Sequence, residues 1–100
     1  MKLGILVNTA RHPGHVVGIA KAALSKGHEV IIFNMDEGTK LLGDSVFHEL
    51  CGMAGVKMSF CDYNAKLFNA PKESIPDEIV CGSQLNNAEM MHEADRVIIL

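Results

Sequence analysis

The chain lacks an excess of positive charge, a long apolar run and a paired cysteine motif, and each absence removes a class of function. With 9 Lys and Arg against 12 Asp and Glu the formal net charge is −3, and the two signs are mixed along the sequence. There is no basic stripe of the kind that displaces counterions from a nucleic acid, so neither DNA nor RNA is an expected partner. No apolar run approaches the ~20 residues that cross a bilayer, and the opening LGILV starts too early and stops too soon for a secretion signal. A cytoplasmic protein with no membrane attachment is expected. The three cysteines, Cys51, Cys61 and Cys81, are odd in number and form no CxxC pair, which argues against a disulfide framework or a tetrahedral zinc site. Reduced thiols are the expected state. Phosphate-loop signatures are also missing: NTARHPGHVVG follows a strand pattern and opens a helix pattern, yet it has neither the Walker spacing nor GxGxxG. Repeats, linkers and low-complexity tracts are absent.

What is present is a chain of 100 residues, the length of one domain, 1–100, with one core. Hydrophobic residues make up 48% of it. So small a globule leaves much of its surface exposed, and the excess of apolar residues predicts that copies of the chain cover one another. KLGILVN (2–8) reads as a buried strand leading into a loop. After Pro13 and Gly14, Val16, Val17, Ile19, Ala20, Ala23 and Leu24 recur at helical spacing until Gly27, a C-terminal cap. HEVIIFN (28–34) is a second strand. A helical turn is expected over 39–42, and a second helix over Val46, Phe47, Leu50, Cys51 and Met53, capped by Asp44 or Ser45 and ending near Gly55. A third strand covers 56–61, a short helix 62–68, a loop 71–76 and a very short fourth strand 79–80. Ser83 caps a last helix that runs to Glu93, and 96–100 closes the chain as a fifth strand.

Strands alternating with helices predict an α/β fold, a three-layer sandwich around a mainly parallel sheet of five strands, with the flavodoxin-like order 2-1-3-4-5 as the most economical arrangement. In such sheets ligands and reactive groups lie outside the carboxyl ends of the strands. The candidate rim is therefore 8–15, 35–38, 61–64 and 81–83, with Asn8, His12, Asp36 and Ser83 as candidate ligand-binding residues.

Cys61 stands where the third strand gives way to a helix, an address at which backbone amides and the helix dipole favour a thiolate. The neighbouring Asp62 opposes this unless its carboxylate turns away. A thiol at this point is either a small packed hydrophobe or a nucleophile. Cys81 ends the fourth strand and comes within reach of Cys61 if the two strands are neighbours, which makes it a candidate relay thiol, while a packed residue before Gly82 is the plainer reading. Cys51 falls on the apolar face of the second helix and is expected in the core. His12 and His15 lack a third ligand, so no metal site is expected. Met53, Met58, Met90 and Met91 read as adaptable core or interface residues.

LGILVN, AKAALSKGHEVIIFNMDEGTKLL, GVKMSFCDYNA and the closing GSQLNNAEMMHEADRVIIL together resemble the DsrE/DsrF-like family, which includes the Tus sulfur-relay subunits. The resemblance spans nearly the whole chain. It implies a cysteine after the third strand that carries a persulfide between partner proteins, and subunits assembled as trimers or hexamers. Cys61 is the matching position; a register two residues earlier puts Ser59 there instead. Where the family's loop often continues to an Arg-Gly pair, this chain has AKLFNA, with Lys66 and Asn69. The implied function is a cytoplasmic carrier of sulfane sulfur on Cys61, sulfurtransferase-like if active. It would use no cofactor and pass sulfur between donor and acceptor proteins. The alternative is a noncatalytic, oligomeric module that binds a small ligand or nucleotide at the rim.

Overall fold

KLGILV and EVIIFN are short runs dense in branched aliphatic residues, and they form adjacent parallel strands, β1 (Lys2–Val7) and β2 (Glu29–Asn34), paired in register from Lys2 opposite Glu29 to Val7 opposite Asn34. The computed structural model describes residues 1–100. Between these strands lies α1 (Pro13–Ser25), which buries Val16, Val17 and Ala20 along one stripe. Proline at its first position suits a turn in which the N–H would go unpaired anyway. The helix stops as expected at Gly27, whose φ of 83° places it in the left-handed region. There Gly27 N–H donates to the Leu24 carbonyl and His28 N–H to the Ala23 carbonyl, the paired bonds of a Schellman cap.

After β2 the backbone tightens into a 3-10 turn (Asp36–Gly43) and a second one (Phe47–Leu50) before β3 (Val56–Cys61). The second helix expected over 46–53 is thus a single 3-10 turn. Its N-cap is Val46 rather than the expected Asp44 or Ser45, although Asp44, just ahead of the turn, accepts through Oδ1 from the N–H groups of Val46 and Phe47. Gly52 and Gly55, with φ of 75° and 87°, turn the chain away before a second turn can form. Phe47 and Leu50 are buried all the same, so the apolar spacing was correct while the length of helix was not. Next come α2 (Asp62–Leu67), a 3-10 turn (Lys72–Ser74), β4 (Ile79–Gly82), α3 (Gln84–Glu93) and β5 (Arg96–Ile99). Ser83 caps α3: its Oγ accepts from Leu85 N–H, while Asn86 Oδ1 accepts from Ser83 N–H.

The fold class is the expected one, helices on both faces of a wholly parallel five-stranded sheet. Its strand order is 4-3-2-1-5 rather than the expected 2-1-3-4-5. The chain steps in one direction from β1 to β4 and only then jumps back to set β5 beside β1. Parallel crossovers are right-handed. Three successive steps in one direction therefore place α1, the 3-10 turns and α2 on one face, and the single return step places α3 alone on the other. Hydrophobic pattern carries no record of that order, because every strand is apolar whichever neighbour it has.

The two faces are unequal in consequence. The larger core joins Ile5, Val7, Val30, Ile32, Met58 and Phe60 of the sheet to Val16, Leu42, Phe47 and Leu50 above it. On the α3 face the buried cluster is only Leu6, Phe33, Cys61 and Met90, with Ile31, Met35 and Val97 half-buried around it. Full burial of one such aliphatic or aromatic side chain is worth about 1.5–3 kcal/mol. The α3 layer, holding one fully buried side chain of its own, is therefore the more weakly attached.

Candidate functional site

All five strands point the same way, so their carboxyl ends share one rim. Asn8 and His12 lie there in the loop after β1, where Thr9 Oγ1 donates to the Leu100 carbonyl and ties β1 to β5. His12 and His15 stack, with ring centroids 5.1 Å apart. No group of three His, Cys, Asp or Glu side chains is arranged to hold a metal ion. Asp36 adopts φ of 49°, a left-handed conformation that Asp tolerates better than most residues. Its N–H donates to Asn64 Oδ1, and its carbonyl accepts from Thr39 Oγ1.

These bonds close part of the rim. Gly38 presses so near the end of β1 that a Cβ there would overlap the Val7 carbonyl. Asn34, fully buried at the end of β2, donates from Nδ2 to the Gly38 carbonyl. The 36–43 turn is thereby locked over the ends of β1 and β2, with its own Gly38 and Thr39 buried. Sequence reasoning did not single out Asn34, Thr39 and Asn64. The available signal was a polar residue ending an otherwise apolar strand, which Asn34 provides. Ser83 is occupied by its cap, so its hydroxyl is already engaged.

Cys61 is the last residue of β3 and the N-cap of α2, although its side chain makes no capping bond. It pairs across the strands with Gly82. Its side chain lies on the α3 face among Leu6, Phe33 and Met90, and only 4% of the residue is exposed. Ser59, the other candidate register, lies within the strand opposite Phe33 and Val80. The position at the strand's end therefore belongs to Cys61. The neighbouring Asp62 turns its carboxylate to Lys72 and to Lys66, the latter 3.2 Å away. Hydrogen bonds from Lys72 and then Lys66 hold its pKa down to about 2.

Cys81 lies opposite Phe60, one residue before the Cys61–Gly82 pair. Successive side chains of a strand alternate between faces. Phe60 belongs to the larger core, so Cys81 is on the face opposite to Cys61, exposed and beside Asp62. Partial loss of hydration around the sulfur, exposed though the residue is, raises its pKa first, and a hydrogen bond to Asp62 adds to the effect. The strands are neighbours, as the relay reading required, but the alternation sends the two thiols to opposite sides of the sheet. Cys51 is half-buried, with Sγ 3.9 Å from Met58 Sδ, and burial raises its pKa as expected for a packed thiol. No helix is long and apolar enough to cross a membrane.

No protein-family profile matches the sequence, and no curated protein matches it. Among solved structures the chain is similar to the crystal structure of the ychN protein from E. coli, with a TM-score of 0.73 and 14% identity over 100% of this chain and 99% of that one. At that identity the likeness is one of fold: the chain shares the α/β architecture of that protein over its full length.

Proposed function

We propose that the chain is a sulfur-relay protein that holds sulfane sulfur as a persulfide on Cys61. The Cys61 thiolate attacks the outer sulfur of a donor persulfide, R–S–SH. A new S–S bond forms on Cys61 as the donor S–S bond breaks, and R–S⁻ leaves. A partner thiolate then attacks the outer sulfur of Cys61–S–SH and releases the Cys61 thiolate. Each step exchanges one S–S bond for another with no net oxidation, and neither metal nor organic cofactor is required.

The observation that carries this reading is position. Cys61 ends β3 at the carboxyl rim, where such sheets gather their chemistry and where the DsrE/DsrF-like resemblance puts the reactive cysteine. The capture of Asp62 by Lys66 and Lys72 supports it, because the carboxylate nearest in sequence is turned toward cations. Burial of Cys61 on the α3 face, in the cluster it shares with Leu6, Phe33 and Met90, sets a condition: α3 must yield before a donor reaches the sulfur. Between partners the same cover shields a loaded persulfide from stray thiols. The partners in this reading are donor and acceptor proteins in the cytoplasm, and further copies of the chain in a trimer or hexamer. Intact-mass analysis after treatment with a sulfane donor should show a gain of ~32 Da that vanishes in Cys61→Ser. A gain unchanged by that substitution removes Cys61 from the mechanism.

A second reading is favoured by the packing of Cys61 among Leu6, Phe33 and Met90. It makes the thiol a core residue of a noncatalytic oligomeric module that binds a small ligand or nucleotide. Thermal stabilisation by a nucleotide or flavin, undiminished in Cys61→Ser, distinguishes it from the carrier.

A further inference from the structure

Five strands about 4.8 Å apart span roughly 20 Å, and a helix with its side chains is about 10 Å wide, so a sheet face of this size takes two helices. The α3 face has one. It packs across β1, β2 and β3 and leaves the β4 side of the face open. A groove of about 320 Å³ runs along that flank and continues, through the shared Ile31, Val56, Lys57 and Glu93, into one of about 260 Å³ at the amino-terminal ends of β1, β2 and β3. Ile31, Ser59 and Val80 form the floor, Val80 being 53% exposed, and Met90 and Asn86 stand in the α3 wall.

The charges along this trough are one-sided. Both of its cations, Lys2 and Lys57, already reach Glu93, at 2.9 and 3.6 Å. Glu29, Glu78 and Glu89 are exposed and make no ion pair. An apolar floor under unpaired carboxylates disfavours nucleic acid and anionic lipid, and is complementary to a segment with apolar residues on one side and Lys or Arg beside them. We propose that this trough docks a cationic amphipathic helix of a protein partner, filling the place of the missing second helix. Met90 lines the trough and belongs to the same buried cluster as Cys61, so the occupant touches a side chain of the layer that encloses the thiol. That link to sulfur transfer rests on the carrier reading, whereas the docking itself does not.

The probe is a fluorescent Leu/Lys amphipathic peptide of about 18 residues, long enough to form a helix, with a Leu/Glu twin. The Leu/Lys peptide should bind and the Leu/Glu peptide should not. Reversing two trough charges, Glu78→Lys with Glu89→Lys, should weaken binding about tenfold, while Glu37→Lys with Glu73→Lys, equal in net charge, should leave it within about twofold. Equal weakening by both pairs, or no binding of the Leu/Lys peptide, overturns the proposal. So does light scattering in which Glu78→Lys with Glu89→Lys breaks up an oligomer, since the trough would then belong to a second copy. Persulfide loading without peptide reports on Cys61 separately, so either idea can fail while the other stands.

Discussion

Replacing Met90 by Ala should expose the Cys61 thiol without touching it. Met90 is 1% exposed and is the one fully buried side chain of α3, where it packs in a cluster with Leu6, Phe33 and Cys61. Truncating a buried Met to Ala costs about 2–5 kcal/mol, depending on how far the site collapses. Because α3 carries so little other buried surface, most of that loss falls on its docking rather than on the larger core. A reagent that reaches Cys61 only through a local opening reacts in proportion to the open population. Taking the lower part of the range, about 2–3 kcal/mol, and tenfold per ~1.4 kcal/mol, the labelling rate should rise about 25- to 150-fold. The assay is disulfide-reagent kinetics in a Cys51→Ser, Cys81→Ser background, so that Cys61 is the only thiol. Leu85→Ala, at a position of the same helix that is 66% exposed, should leave the rate unchanged. A change of less than about threefold for Met90→Ala would refute the reasoning, since the thiol would then be reached without moving α3.

The Asp62 carboxylate has a folded pKa of about 2, below its ordinary value. Its contribution to stability is complete above the unfolded pKa and is lost as pH falls through the folded one. Denaturant midpoints of the wild type should therefore fall between about pH 4 and pH 2, and Asp62→Asn should flatten that limb; parallel curves would mean that the contacts to Lys66 and Lys72 hold little in solution. Gly38→Ala forces the 36–43 turn off the Val7 carbonyl and should destabilise by about 1–3 kcal/mol, seen as a lower urea midpoint at unchanged slope. An unchanged midpoint would show that the turn is not held as described. Oxidation with diamide should give no Cys61–Cys81 bridge in peptide maps of the native monomer, because the two side chains lie on opposite faces; recovery of that bridge would contradict the register.

Periodic segments of the sequence were legible and their arrangement was not. β1, β2 and β3 were readable because strands covered on both faces are continuous apolar runs, and α1 because Val16, Val17 and Ala20 share a stripe ended by Gly27. The same periodicity overestimated the segment after Asp44, where Phe47 and Leu50 are buried by a single turn. Strand order depends on which neighbours pair, and from it follows which face α3 covers. Whether Cys61 is shielded or open was for that reason invisible: its place at the end of β3 is local, but the presence of α3 on its face of the sheet is a consequence of the return step to β5. The separation of Cys61 from Cys81 turns likewise on register, in which Cys61 meets Gly82 rather than Cys81. Asn34 and Asn64 acquire their roles only when the 36–43 turn folds back across the strand ends.

The carrier role of Cys61 is tested most directly by loading three single-cysteine chains, each retaining only Cys51, Cys61 or Cys81, with a sulfane donor and then chasing with an acceptor thiol. The chain that keeps Cys61 should gain ~32 Da and lose it to the acceptor, while the other two gain nothing that can be transferred. Transferable sulfur on the Cys81 or Cys51 chain, with none on the Cys61 chain, would contradict the proposal.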